Sequence, residues 1–261
     1  MKIARFKLSN EVRYGELVGD QLHLLEGEFP ALKRVPGAAP VALSAVKLLT
    51  PTMPTKVVAI GPGQRTAIPK GRSAPEHPTL WFKPAPSCLT NPGDPVIFPP
   101  TATALTHEVE VGIVIGKTAR RVKREEAERC IAGYTVHNDL TAGNPMKDNG
   151  TPLSYYWKSF DGLSTFGPVV VTDLKMADIN GRLMLCRVNG EMRTNVKCDL
   201  LFAPDELVSW ISHIVTLYPG DVISTGAPGI GPLVPGDVME SEIEGIGRFS
   251  NRIVPSDYTG D

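Results

Sequence analysis

The stretch Glu108-Val109-Glu110-Val111-Gly112-Ile113-Val114-Ile115 constrains the fold more than any other. Val109, Val111, Ile113 and Ile115 alternate over the length of one strand and share a face. Glu108 and Glu110 then lie together on the opposite face, with Gly112 next in line. Two carboxylates at i and i+2 repel each other in a partly buried site. Two readings stand at this point: a solvated strand face, or a pair of oxygen ligands around a cation. Carboxylates suit Mg²⁺, Mn²⁺ or Ca²⁺ more than zinc.

The rest of the chain reads as mostly β. Gly 25 and Pro 24 among 261 residues exceed the usual combined share of ~12% and point to many turns and short strands. Three Pro-Gly-Asp copies, at Pro92, Pro219 and Pro235, read as turns delivering the chain into strands. Their irregular spacing excludes a repeat architecture. Residues 1–54 read as a small β unit, with a strand from Ile3 to Leu8 and a hairpin around Gly15 and Gly19-Asp20. Residues 55–261 form the main domain. Helices are expected over Arg124–Ala132 and Asp205–Leu217, the latter carrying Leu207, Ile211 and Ile214 at helical spacing. Gly61–Pro78, rich in proline and charge, reads as a surface loop and a candidate lid.

Several classes are excluded by composition. Lys plus Arg is 27 and Asp plus Glu 28, a net charge of −1, which argues against nucleic acid as a partner. No apolar run reaches ~18 residues, so no membrane helix is expected, and the N-terminus reads as a strand rather than a signal peptide. Cys88, Cys130, Cys186 and Cys198 form no CxxC pair and read as buried thiols of a cytoplasmic protein.

A further carboxylate stands at the end of Gly133-Tyr134-Thr135-Val136-His137-Asn138-Asp139, a strand-like run entering a polar loop. Asp139 reads as a turn residue or as a third member of the acidic group.

HEVEVGIVIGK followed by AGYTVHNDLTA resembles the fumarylacetoacetate hydrolase family. The resemblance extends through Pro78-Thr79-Leu80-Trp81-Phe82-Lys83-Pro84, Lys158-Ser159-Phe160-Asp161, Val188-Asn189-Gly190-Glu191 and Tyr218-Pro219-Gly220-Asp221. It closes on Thr225-Gly226-Ala227-Pro228 and Glu244-Gly245-Ile246-Gly247, and covers about residues 56–254. It implies a mixed, β-rich α+β fold: a β-roll core with a few helices and a small N-terminal unit, assembled as a homodimer. It implies Mg²⁺ or Mn²⁺ on Glu108, Glu110 and Asp139, Lys158 as the catalytic group with Asp161 buttressing it, and substrate contacts from Gln64, Arg65, Thr225 and Gly226. The implied substrate is a small 2-oxo acid, acylpyruvate or 2-hydroxy-enoic acid. The reaction is C–C cleavage, decarboxylation or keto–enol isomerisation through an enolate.

The sequence departs from that pattern at the lid. Hydrolytic members carry a segment similar to G-x-N-Y-x-x-H-x-x-E. Here the Asn and Tyr positions are Gly63 and Gln64, the His position is Ala67 and the Glu position is Lys70. Neither Ala67 nor Lys70 can activate water as a His–Glu pair does. The family's A-R-D-x-Q reads Ala142-Gly143-Asn144-Pro145-Met146. Enolate chemistry needs only the cation and a proton carrier, so decarboxylation or isomerisation is expected to exceed hydrolysis. Two alternatives remain: a hydrolase with a replacement base, Glu76 or His77 first in line, and a non-catalytic metabolite-binding relative. His107 and His137 are read as structural.

Overall fold

The computed structural model describes residues 1–143 and 157–259. Strands dominate and form three sheets. The largest has thirteen strands, and its main path runs Lys33–Arg34, Gln21–Glu26, Glu11–Val18, Lys2–Leu8, Ser164–Val171, Ile131–Asp139, Val109–Ile115, Val222–Ser224, Val57–Gly61, Thr79–Lys83. A five-stranded sheet carries Leu183–Val188 between Glu191–Lys197 and Val238–Ile243, and a three-stranded sheet centres on Leu105–His107. The expected β-rich fold with few helices is the one found.

Val109–Ile115 is the keystone of the large sheet, and every one of its residues is buried. Val109, Val111, Ile113 and Ile115 enter the main core with Leu207, Ile211, Met239 and Ile253. Val114, on the other face, joins a separate cluster with Val57, Phe166, Val170 and Val222. A strand covered on both faces reads as an apolar run, and the acidic residues at one end are the exception to it.

All three Pro-Gly-Asp copies close the same turn. Asp94, Asp221 and Asp237 each donate their N–H to the carbonyl three residues back, at 3.1, 3.0 and 3.1 Å. The intervening glycines lie in the left-handed region at φ 84, 91 and 100°, as glycine following proline allows in a type II turn.

Three local expectations need correction. Gly15 lies inside the strand Glu11–Val18, where it admits the Phe6 ring; the turns fall at Ser9-Asn10 and Gly19-Asp20. The first helix is one α turn, Arg124–Ala127, continued as 3-10 over Glu128–Cys130. It stops there because the Cys130 carbonyl accepts from Gly116 N–H at 2.7 Å and Ile131 pairs with Ile115. The second helix is Pro204–Ile214, opened by proline and the acidic pair Asp205 and Glu206. It ends short of Leu217, which turns extended to pair with Ala119.

The N-terminal strands are hydrogen-bonded into the large sheet, Lys2–Leu8 pairing with Ser164–Val171 on one side. Among the described residues no helix is long and apolar enough to cross a membrane.

Candidate active site

Three strands bring the acidic residues together. Val109–Ile115 and Ile131–Asp139 run antiparallel, with Glu110 opposite His137 and Val109 opposite Asn138. Glu108, one residue before its strand, is fixed through its backbone. Its N–H donates to Asn138 Oδ1 at 2.8 Å and its carbonyl accepts from Asp139 N–H at 2.9 Å. On the far side, Val222–Ser224 pairs with the same central strand and carries Thr225 and Gly226 over Glu110.

One carboxylate oxygen from each of Glu108, Glu110 and Asp139 lies within 4.8 Å of the other two. At an effective dielectric of about 20, unit charges at that spacing repel by about 3 kcal/mol per pair. Two lysines offset part of this. Lys158 Nζ lies 2.8 Å from Glu108 Oε2 and 2.7 Å from Asp139 Oδ2. Lys83, wholly buried, lies 2.6 Å from Asp139 Oδ1 and donates to the Leu140 carbonyl at 3.1 Å.

The environments separate the three acids. Burial opposes ionisation of Asp139, but Lys83 and Lys158 overcome it and hold this carboxyl below the ordinary range. Burial raises Glu108, and Asp139 adds to the rise while Lys158 opposes it. Glu110 is raised furthest, by burial and by the Asp139 and Glu108 carboxylates. Burial works against the charge on Lys158 too, yet Asp139, Glu108 and Glu110 keep its ammonium above its ordinary value.

Glu110 shows best what the cluster suits. Its Oε2 accepts from Ser224 Oγ at 2.5 Å and from Gly226 N–H at 2.6 Å. Its Oε1 is buried with no hydrogen-bond partner among the described residues. An orphaned carboxylate oxygen in a group of three acids and two lysines calls for positive charge. The donor set, all carboxylate oxygen, fits a hard divalent cation of the Mg²⁺ or Mn²⁺ type.

Glu108 and Lys158 open onto a cavity of about 660 Å³ walled by Trp81, Trp157, Thr141 and Ile230. Thr141 Oγ1 donates to Glu108 Oε1, and Lys158 Nζ sits 5.6 Å from the centre of the Trp81 ring. Glu110 and Asp139 lie behind this opening, each about 1% exposed.

The other candidates fall elsewhere. Gln64 is buried and spends its amide on the frame, donating to the Gly226 carbonyl at 3.1 Å and accepting from Asp199 N–H at 2.9 Å. Arg65 is exposed beside Asp199. Thr225 Oγ1 donates to the Val111 carbonyl at 2.9 Å, while Gly226 serves Glu110 through its backbone. Ala67 and Lys70 are exposed. His77 stacks on Trp210 of the Pro204–Ile214 helix at 5.3 Å, beside an exposed Glu76, and neither lines the cavity. Asp161 lines a second cavity with Thr90 and Phe160, and among the described residues the polar partners of Lys158 are Glu108 and Asp139. Asn144, Pro145 and Met146 lie outside the described residues.

Sequence reasoning passed over Lys83, Ser224 and Thr141. A lysine closing the apolar strand Thr79–Lys83 is a usable signal for the first. The two hydroxyls carry none, since pairing between distant strands decides what they meet.

Residues 56–254 match the family model described as fumarylacetoacetate (FAA) hydrolase, C-terminal. Residues 1–51 match the Rv2993c-like N-terminal model. The human protein named oxaloacetate tautomerase FAHD2A, mitochondrial, is 36% identical over 199 residues, which cover 72% of this chain and 61% of the relative. The crystal structure of 5-carboxymethyl-2-hydroxymuconate delta-isomerase from Mycobacterium smegmatis is 31% identical, with a TM-score of 0.86 over 98% of this chain and all of that one. Maleylpyruvate hydrolase from Sphingobium sp. SYK-6, solved with manganese(II) and pyruvate, is 27% identical, with a TM-score of 0.79 over 98% of this chain and 100% of that one.

Proposed function

We infer that this chain, which belongs to the fumarylacetoacetate hydrolase family, is an enzyme that moves a proton between carbon and oxygen of a small 2-oxo acid, a keto–enol isomerisation. Glu108, Glu110 and Asp139 hold Mg²⁺ or Mn²⁺. Bound there, the cation would supply the positive charge that favours the enolate of a 2-oxo acid.

The observation that carries this reading is the placement of Lys158. It is 6% exposed, faces the cavity beside Trp81, and among the described residues its ion pairs are with Glu108 and Asp139 of the cluster. Its ammonium gives a proton to C3 of the enol form, and the amine left behind takes the proton of the enol oxygen. One proton moves from oxygen to carbon, and no water or co-reactant is consumed. Trp81 and Trp157 give the cavity an apolar wall beside Lys158. Hydrolysis needs a base for water as well, and the lid positions that would supply it, Ala67 and Lys70, are exposed.

The test is a substrate panel in the presence of Mg²⁺ or Mn²⁺. Loss of enol absorbance from oxaloacetate and from 2-hydroxy-enoic acids should outpace cleavage of acylpyruvates. Lys158→Met should lower that activity by about 10²-fold or more, the effect of losing one acid/base group, with cation affinity no weaker than in the wild type, since a competing positive charge beside Glu108 and Asp139 is removed. Fast acylpyruvate hydrolysis by the wild type would replace this reading with a hydrolase.

A further inference from the structure

Behind the carboxylates lies a line of hydrogen bonds that the proposed proton transfer does not use. His137 is completely buried. Its Nδ1 is 2.5 Å from Ser224 Oγ and its Nε2 is 2.8 Å from Ser164 Oγ. Ser224 Oγ is in turn 2.5 Å from Glu110 Oε2, where Gly226 N–H also arrives at 2.6 Å.

Counting protons fixes the direction of this line. With the cation bound, Glu110 is ionised and only accepts, so Ser224 gives its single hydroxyl proton to Glu110. Ser224 then has none for the imidazole, and Nδ1 must carry the ring proton and donate. A neutral ring has one N–H, so Nε2 accepts, and Ser164 supplies the donor. Exchanging the tautomer would leave Nδ1 and Ser224 Oγ facing each other as two acceptors.

The line ends on a consequence for the site. With both donors on Oε2, the Glu110 carboxylate is locked in rotation and Oε1 is left without a partner. We propose that His137 is a positioning residue: through Ser224 it pins one oxygen of Glu110 so that the other is free to bind the divalent cation. This rests on the reading that Glu110 holds the cation. Partners one shell out from a metal ligand commonly change affinity by 10- to 100-fold when lost.

Two measurements on the Mg²⁺-loaded protein test it. Nitrogen-15 NMR of the histidine side chains should show His137 as the Nδ1–H tautomer. The Nε2–H tautomer overturns the proposal, and this result needs no variant to fold. Calorimetric titration with Mg²⁺ should show His137→Phe and Ser224→Ala weakened by about 10- to 100-fold. His137→Asn, whose amide N–H can still reach Ser224, should recover most of the loss. If Glu110→Gln loses Mg²⁺ while His137→Phe and Ser224→Ala bind as the wild type does, the positioning role is wrong and the cation site stands. If Glu110→Gln itself binds Mg²⁺ normally, the cation reading fails and this inference falls with it.

Discussion

Replacing Glu110 with glutamine changes one charge and almost no shape, so the outcome can be worked out before the experiment. Ser224 Oγ and Gly226 N–H both donate to Oε2. Only the amide oxygen can receive them, and the NH₂ must therefore stand where the unpartnered Oε1 stood. That puts two donors beside Glu108 and Asp139, in the position a cation needs. A unit charge pair about 4 Å apart is worth about 4 kcal/mol at an effective dielectric of about 20, and about twice that against a dication. Half of this sum already corresponds to about 10³-fold in affinity. Titration calorimetry should therefore show Mg²⁺ binding weakened by at least about 10³-fold. The same substitution removes the cost of keeping a buried acid beside two carboxylates, whether it is met as repulsion or as a retained proton, so the chelator-treated variant should melt higher than the chelator-treated wild type. A gain of about 1 kcal/mol corresponds to about 2–4 °C in a chain of this size. A folded variant with wild-type Mg²⁺ affinity would refute the reasoning.

Two further outcomes follow. Burial, with Asp139 and Glu108, holds Glu110 well above its ordinary value of 4.5. A raised acid contributes stability that is complete below the unfolded value and lost as pH rises through the folded one. The Tm gain on adding Mg²⁺ should therefore grow as pH rises above 4.5, and titrations in buffers of different ionisation enthalpy should read proton release; proton uptake contradicts this. The loop between Gln64, clipped to Asp199 and Gly226, and His77, stacked on Trp210, is exposed from Arg65 to Glu76 apart from half-buried Ile68. Its amides should exchange fast in the free protein and more slowly with Mg²⁺ and oxalate; equal strong protection in both states removes the lid.

What the sequence made legible is what local periodicity can encode. Val109, Val111, Ile113 and Ile115 announce a strand, and the same period puts Glu108 and Glu110 on one side of it. The three Pro-Gly-Asp turns are equally local, because proline and glycine dictate the backbone of the turn by themselves. Helix ends were less legible: the residues from Glu128 to Ile131 favour helix by propensity, and pairing of Ile131 with Ile115 overrides it. Gly15 looks like a turn residue and is a space left for Phe6. The line from Ser164 to Glu110 lies beyond sequence reasoning altogether, since it exists only through the register of four strands. Gln64 illustrates the reverse case. A polar residue on a candidate lid invites a substrate role, and the fold draws its amide inward to tie the loop to Gly226 and Asp199.

Charge counting connects the cluster to the ligand it can accept. With every acid ionised, Glu108, Glu110 and Asp139 outweigh Lys83 and Lys158 by one negative charge; with a proton retained on Glu110, the group is neutral. In neither state is there net positive charge to attract a carboxylate, and both lysines are already engaged with the acids. A dication on the fully ionised group leaves one positive charge, which the carboxylate of a 2-oxo acid neutralises. Cation and substrate should therefore bind in that order, with the first creating the site for the second. Oxalate serves as the probe. Titrated into chelator-treated protein it should give no measurable heat, and with saturating Mg²⁺ it should bind with an affinity that Glu110→Gln abolishes. Oxalate binding of equal strength without any divalent cation would mean that Lys158 or Lys83 is free to receive anions, and the pairing of three acids with two lysines could not then be what governs the site.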